Sequence, residues 1–207
     1  MAELPTSPSQ PQSARCRVAI VEDHRLQRDR TEEILRRDGR FDVVFSGESM
    51  PEFLTWAVAV PRATRPHLLV LDLLVDRQPS VDVEVVSTLL RGGLRIVVLS
   101  ALTSPKLVQS IVQAGVTGVV GKRDSEEDLL QAIFAVLNGE EWMTQELATI
   151  IAGDSDRPKL SIQEEQALVL YSTGLTLDEV ADAMNVKKST AREYLGRVTQ
   201  KYTAAGV

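Results

Sequence analysis

Five polar positions draw notice because each follows a short apolar run. Glu22 and Asp23 follow Val18-Ala19-Ile20-Val21, Asp72 follows Leu68-Leu69-Val70-Leu71, Ser100 follows Ile96-Val97-Val98-Leu99, and Lys122 follows Gly118-Val119-Val120-Gly121. If these runs are neighbouring parallel strands, their carboxyl ends lie along one edge, and three carboxylates, a hydroxyl and an amine share a pocket. Crowded carboxylates drive one another toward protonation unless a cation joins them. All-oxygen ligands with room for water suit Mg²⁺. Such an ion would neutralise charge and leave the Asp72 carboxylate free to attack a phosphoryl group. Lys122 would then pair with one phosphoryl oxygen and the Ser100 hydroxyl would bond another. Taken singly, each of these would be an ordinary loop-entry residue; their joint placement carries the inference. His24 reads as a loop residue beside the pocket, and His67 as the lead-in to the run at Leu68.

The elements needed to position these groups are legible. Continuous β-branched and aliphatic runs, with Asp42-Val43-Val44-Phe45 as a further one, suit strands covered on both faces. Amphipathic stretches near 25–37, 50–60, 82–91, 105–114 and 125–137 predict helices between them. Pro105 after Ser104 marks a helix start, as does Ser125 before the acidic turn Glu126-Glu127-Asp128. Five such units predict an α/β doubly wound parallel five-stranded sheet over residues 16–138.

After Asn138-Gly139 the texture changes. Residues 139–159 read as a linker with a short helix near 144–151, and from Leu160 only helices are expected, near 162–172, 176–184 and 188–202. Ser161 with Glu164 and Thr176 with Glu179 have capping-box spacing. Residues 1–15, rich in Pro, Ser and Gln, read as a disordered tail.

The bulk composition narrows the function classes. The formal net charge of −6 argues at first sight against nucleic acid. Within residues 160–207, however, all five bases (Lys187, Lys188, Arg192, Arg197, Lys201) fall at or after position 187, while five of the six acids precede it. Segregation onto one helix lets a protein offer positive charge to phosphates while its other helices stay solvated. On that helix Ala191, Leu195, Val198 and Tyr202 recur at core spacing, leaving Lys188, Ser189, Arg192, Glu193, Gly196, Arg197 and Gln200 outward. A single cysteine, Cys16, favours a reducing, cytoplasmic setting. No apolar stretch approaches the ~20 residues of a membrane span.

The acidic constellation closely resembles the receiver domain of two-component response regulators, in which an acidic pair, a phosphoacceptor Asp, a Ser or Thr, and a Lys end successive strands. Glu22-Asp23, Asp72, Ser100 and Lys122 match in order. The resemblance implies a CheY-like receiver in which Asp23, Asp72 and the Leu74 carbonyl hold Mg²⁺, with Glu22 acting partly through water. The segments Leu160–Leu168, Gly174–Ala181 and Ser189-Thr190-Ala191-Arg192-Glu193-Tyr194-Leu195 resemble a LuxR-type helix-turn-helix. The whole order is similar to that of the NarL/FixJ class. By that resemblance Thr190 and Tyr194 would contact DNA phosphates, and Lys188, Arg192 and Arg197 would enter or flank the major groove. Ser189, Glu193 and Lys201 belong to the same expected DNA-binding set. The implied partners are DNA, a sensor histidine kinase and a second copy of the chain; no membrane is expected.

Three departures are visible. Val119 stands where the family usually has an aromatic, the turn after Asp72 is remodelled as Val75-Asp76-Arg77-Gln78-Pro79, and Val83 replaces a usual glycine. The LuxR-type fourth helix is not expected, because the sequence runs out at Ala204-Ala205-Gly206-Val207. The leading expectation is a transcription factor controlled by phosphorylation of Asp72, a phosphoacceptor rather than an enzyme. Two alternatives stay open: an atypical regulator whose receiver is a phosphorylation-independent dimerisation scaffold, and a Mg-dependent aspartyl phosphotransferase or phosphatase. The third is disfavoured because Asp72-Leu73-Leu74 offers no second acid.

Overall fold

A computed structural model of the protein describes residues 15–75, 78–79, 82–100, 105–122, 124–154 and 158–205. The expected tail, apart from Arg15, and the helix-start residue Ser104 lie outside the described residues. In chain order the elements are β1 (Cys16–Val21), α1 (Arg25–Asp38), β2 (Phe41–Gly47), α2 (Met50–Ala59), β3 (Leu68–Asp72), β4 (Leu74–Val75), β5 (Gln78–Pro79), α3 (Val83–Arg91), β6 (Arg95–Ser100), α4 (Pro105–Gln113), β7 (Gly118–Gly121), α5 (Glu126–Leu137), α6 (Gln145–Ala152), α7 (Ile162–Ser172), α8 (Leu177–Ala183) and α9 (Lys188–Ala204). A short 3₁₀ turn, Arg62–Thr64, precedes β3.

The five long strands form one parallel sheet in the order β2-β1-β3-β6-β7. Alternate residues of each strand enter separate cores. Val18, Ile20, Leu68, Val70, Val97 and Leu99 pack with α1 and α5 through Ile34, Leu35, Leu129 and Ile133. Ala19, Val21, Leu69, Leu71, Ile96 and Val98 face α2, α3 and α4 through Phe53, Val86, Val108 and Ile111. This two-sided burial is why the strands read as unbroken apolar runs. Gly118 is needed for it, since a Cβ there would lie 2.6 Å from Val136 Cγ2 of α5.

The second core does not stop at the receiver. It continues through Met143, Leu147, Ala148 and Ile151 into Ala167, Leu168, Val180, Leu195, Val198 and Tyr202. The segment that reads as a linker therefore carries a packed helix, α6. Full burial of Leu147 and Ile151, each 1% exposed, contributes roughly 1.5–3 kcal/mol apiece. α7 and α8 open with the expected capping boxes, Ser161 with Glu164 and Thr176 with Glu179. The chain enters α9 through Asn185, whose φ of 53° is a left-handed conformation Asn tolerates.

Candidate functional sites

The acidic pocket forms at the carboxyl edge of the sheet. β1 delivers Glu22 and β3 delivers Asp72, each 1% exposed, and β7 delivers Lys122 from the opposite side. The ammonium lies 2.8 Å from Asp72 Oδ2 and 2.9 and 2.8 Å from the two Glu22 oxygens. Lys122 thus spans both buried acids. Burial alone would lower its pKa, but the hydrogen bonds to Asp72 and Glu22 outweigh that and raise it. Glu22 moves upward because its own burial, aided by the charge of Asp72, exceeds the help from Lys122 and the His24 N–H. The Glu22 carboxylate also accepts from the His24 backbone N–H at 3.1 Å, while Arg28 donates to the Glu22 carbonyl at 2.7 Å.

Asp23 is partly exposed at the rim, with the His24 Nδ1 2.7 Å from its Oδ1. Ligand atoms of Glu22, Asp23, His24 and Asp72 lie within 4.8 Å of one another. Glu22 Oε2, though near the ammonium, is buried without a hydrogen bond of good geometry. A buried carboxylate held by the Lys122 ammonium and one backbone N–H, beside two further carboxylates, is a donor set that fits a hard divalent cation. His24, expected beside the pocket, stands exposed at its rim.

Ser100 ends β6 and pairs in register with Gly121, which puts its backbone on the same edge; its side chain lies outside the described residues. Leu74 begins the two-residue antiparallel pairing of β4 with β5, directly after Asp72-Leu73. Val119 is fully buried in the core shared with α4.

The second candidate site is α9. Ala191, Leu195, Val198 and Tyr202 are buried as their spacing predicts. The opposite face does not look into open solvent along its whole length. Lys188 donates to Asp178 at 2.8 Å, and the Arg192 guanidinium stands 5.9 Å from the Trp142 ring centre. Both line a cleft of about 410 Å³ whose other wall includes Asp124, Glu127 and Asp128 at the start of α5. Gly196 sits where an added Cβ would lie 3.7 Å from the Glu141 carboxylate. One face of α9 is therefore turned toward the receiver's acidic rim.

The remaining expected DNA-facing residues divide. Ser189 and Glu193 are exposed, Thr190 and Tyr194 half-buried. Arg197 bonds Glu193 at 3.3 Å and lies 5.6 Å from the Tyr194 ring centre. Lys201 is tied to the buried Glu164 at 2.6 Å, clamping α9 to the start of α7. That structural tie had no signal in the local sequence, since 37 residues separate the partners.

A receiver sheet whose acidic edge is bridged by a lysine, joined to a three-helix unit, defines the class of the protein. The response regulator receiver domain family matches residues 18–134, and the chain belongs to that family, in its NarL/FixJ class. It is 30% identical over 196 residues to the DNA-binding transcriptional activator DevR/DosR of Mycobacterium tuberculosis, covering 89% of this chain and 87% of that protein. It is 24% identical to the transcriptional regulatory protein DesR of Bacillus subtilis, covering 89% and 88%. Among solved structures, the RcsB–DNA complex superposes with a TM-score of 0.59 at 20% identity, covering 91% of this chain and 92% of that one. No helix among the described residues is long and apolar enough to cross a membrane.

Proposed function

We propose that phosphoryl transfer to Asp72 governs the release of α9 to DNA in this transcriptional response regulator. The observation that carries the reading is the Lys122 ammonium shared by Glu22 and Asp72. Mg²⁺ held by Asp23, Asp72 and the Leu74 carbonyl, with Glu22 acting partly through water, would neutralise the pocket's negative charge. Asp72 is the nucleophile, and Ser100 and Lys122 bond the oxygens of the acquired phosphoryl group. A new dianion at Asp72 competes with Glu22 for Lys122. Next to Lys122, the Gly121 N–H donates to Asp124 at 2.8 Å. Asp124 stands in the acidic wall that faces Lys188 and Arg192. A shift of Lys122 therefore bears on the cleft through its neighbour Gly121 and the bond to Asp124, without the aromatic that Val119 replaces.

DNA as partner is supported by the segregated bases of α9 and by relatives named for DNA binding; a second copy of the chain is supported by RcsB, solved as dimers on DNA. The phosphoryl donor is a sensor histidine kinase, and the protein accepts the group rather than turning over phosphate esters. The buried Val119 favours one second reading, a receiver that works as a dimerisation scaffold without phosphorylation.

Incubation with Mg²⁺ and acetyl phosphate should give an acid-stable, base-labile adduct that is absent in Asp72→Asn, together with tighter DNA binding by anisotropy. Absence of an adduct at saturating donor rejects the phosphoryl switch in favour of the scaffold.

A further inference from the structure

The opposite edge of the sheet has a pattern that the phosphoacceptor site does not use. Four neighbouring strands, in spatial order β2-β1-β3-β6, each carry an arginine at their entry. Arg40 precedes β2, Arg17 is the second residue of β1, Arg65 lies shortly before β3, and Arg95 opens β6. Arg15, Arg62 and Arg91 flank the row from adjoining segments and are exposed.

This edge has little counter-charge. Asp38 is taken by Arg40, at 2.6 Å. Asp42 lies in register with Arg17 without forming an ion pair, and Glu140 and Glu141 lie past the β7 side. Arg15, Arg17, Arg62, Arg65, Arg91 and Arg95 make no ion pair with any described residue. The chain holds 29 acids against 23 bases, so carboxylates are plentiful and are simply not placed here. His67 stands exposed within the same row: Arg17 reaches its Nε2 at 2.7 Å. Burial first, then the positive charges of Arg17 and Arg95, hold its pKa below the ordinary histidine value. Like charges gathered without counter-ions favour a polyanion as the missing partner.

The patch chemistry selects the polyanion. A protein partner of ordinary kind needs an apolar centre to its interface. Among the described residues, the large exposed apolar side chains, Leu26, Val58, Ile162 and Val169, all lie on helices and none on this edge. Protein–DNA interfaces are by contrast polar and strongly positive, and guanidinium matches phosphate geometry. Strands ~4.8 Å apart place Arg17, Arg65 and Arg95 along ~10 Å. One strand of duplex DNA presents a phosphate every ~3.4 Å of axis, so about three phosphates fall within that span.

We propose that the amino-terminal edge of the receiver sheet binds the phosphodiester backbone of duplex DNA outside the stretch read by α9. The proposal rests on the reading of the chain as a DNA-binding regulator. Full-length protein treated with Mg²⁺ and acetyl phosphate is titrated against a fluorescein-labelled random-sequence duplex of about 30 base pairs, and the affinity is followed as a function of salt. Arg62→Gln/Arg95→Gln is the informative variant, because neither side chain makes a hydrogen bond among the described residues. The slope of log affinity against log salt should become shallower by about 1.8, two contacts at ~0.9 each. If that variant melts early in circular dichroism, Arg15→Gln/Arg91→Gln takes its place with the same expectation. An unchanged slope in a folded variant overturns the edge site. A parallel Arg192→Gln arm separates the two readings: it should lower the slope independently of the edge pair. Wild-type protein that binds no duplex at all would instead overturn the DNA reading itself.

Discussion

The acidic pocket and helix α9 both hold charge against charge within the chain, but in different media. Lys122 meets Asp72 and Glu22 where each acid is 1% exposed, so little water intervenes. Lys188 meets Asp178 with both side chains more than half exposed, at 52% and 68%. Coulombic attraction at equal distance is several-fold stronger in the first setting than in the second. The buried trio therefore needs a new charge of comparable strength, covalently attached, to rearrange it. The exposed contacts of α9 can be outcompeted by a polyanion such as DNA. On the proposed reading, input and output are thus set at different electrostatic thresholds within one molecule.

The largest expected effect tests the buried side. Lys122→Met strands two carboxylates, and removing one partner of a buried pair typically costs about 3–5 kcal/mol. Urea denaturation at neutral pH should show a loss near the lower figure, with substantial recovery on addition of Mg²⁺. A loss below about 1 kcal/mol would mean the trio behaves like a surface pair.

Glu164→Gln should have an intermediate effect and carries a pH signature. Burial pushes the Glu164 pKa up, but bonds from Lys201 and the Ser161 N–H outweigh it and hold the group below its ordinary value. A depressed folded-state pKa gives stability that is fully present above the unfolded value, about 4.3, and is lost as pH falls through the folded one. Wild-type stability should therefore drop on acidification below about pH 4.3, and Glu164→Gln should flatten that drop while costing about 1–2 kcal/mol at pH 7. An identical acid profile in the variant would show that the Lys201 tie contributes nothing.

The smaller effects test the exposed side. Arg197→Ala should weaken DNA binding and reduce its salt slope by about one unit, if this side chain meets a phosphate. Glu127→Gln thins the acidic wall of the cleft and should raise DNA affinity by about two- to fivefold at low salt, converging with wild type at high salt. Equal affinities at every salt concentration would remove the wall from the competition.

Much of this comparison could be read from the sequence, for physical reasons that differ by site. The strand-end positions of Glu22, Asp72 and Lys122 were legible because two-sided burial leaves unbroken apolar runs, and a polar residue ending such a run is conspicuous. The starts of α7 and α8 were legible because a capping box is a local relation three residues apart, and that of α5 because Ser125 precedes an acidic first turn. The pairing of β4 with β5 was not, since two residues a side have no period to detect. Nor was the packed character of α6. Its apolar positions Leu147, Ala148 and Ile151 have meaning only when covered on two sides, by α4 and by the C-terminal helices. The turning of Arg192 and Gly196 toward Trp142 and Glu141 joins positions some fifty residues apart, where no spacing rule operates.

The anchoring of residues 142 and 143 has a kinematic consequence. Trp142 donates its N–H to Thr117 and bridges to Gly118, so it travels with β7. Met143 is buried against α9, where its sulfur receives the Thr199 hydroxyl at 4.0 Å, and Tyr202 reaches back to Asp154 at the end of α6. Consecutive residues thus fasten β7 and α9, alongside the packing of α4 against α6 and α9. Opening would then have to part α4 from α6 and α9 as well as loosen the strap at residues 142 and 143. On the proposed reading, a unit fastened at two places lets go in one concerted step rather than by gradual loosening.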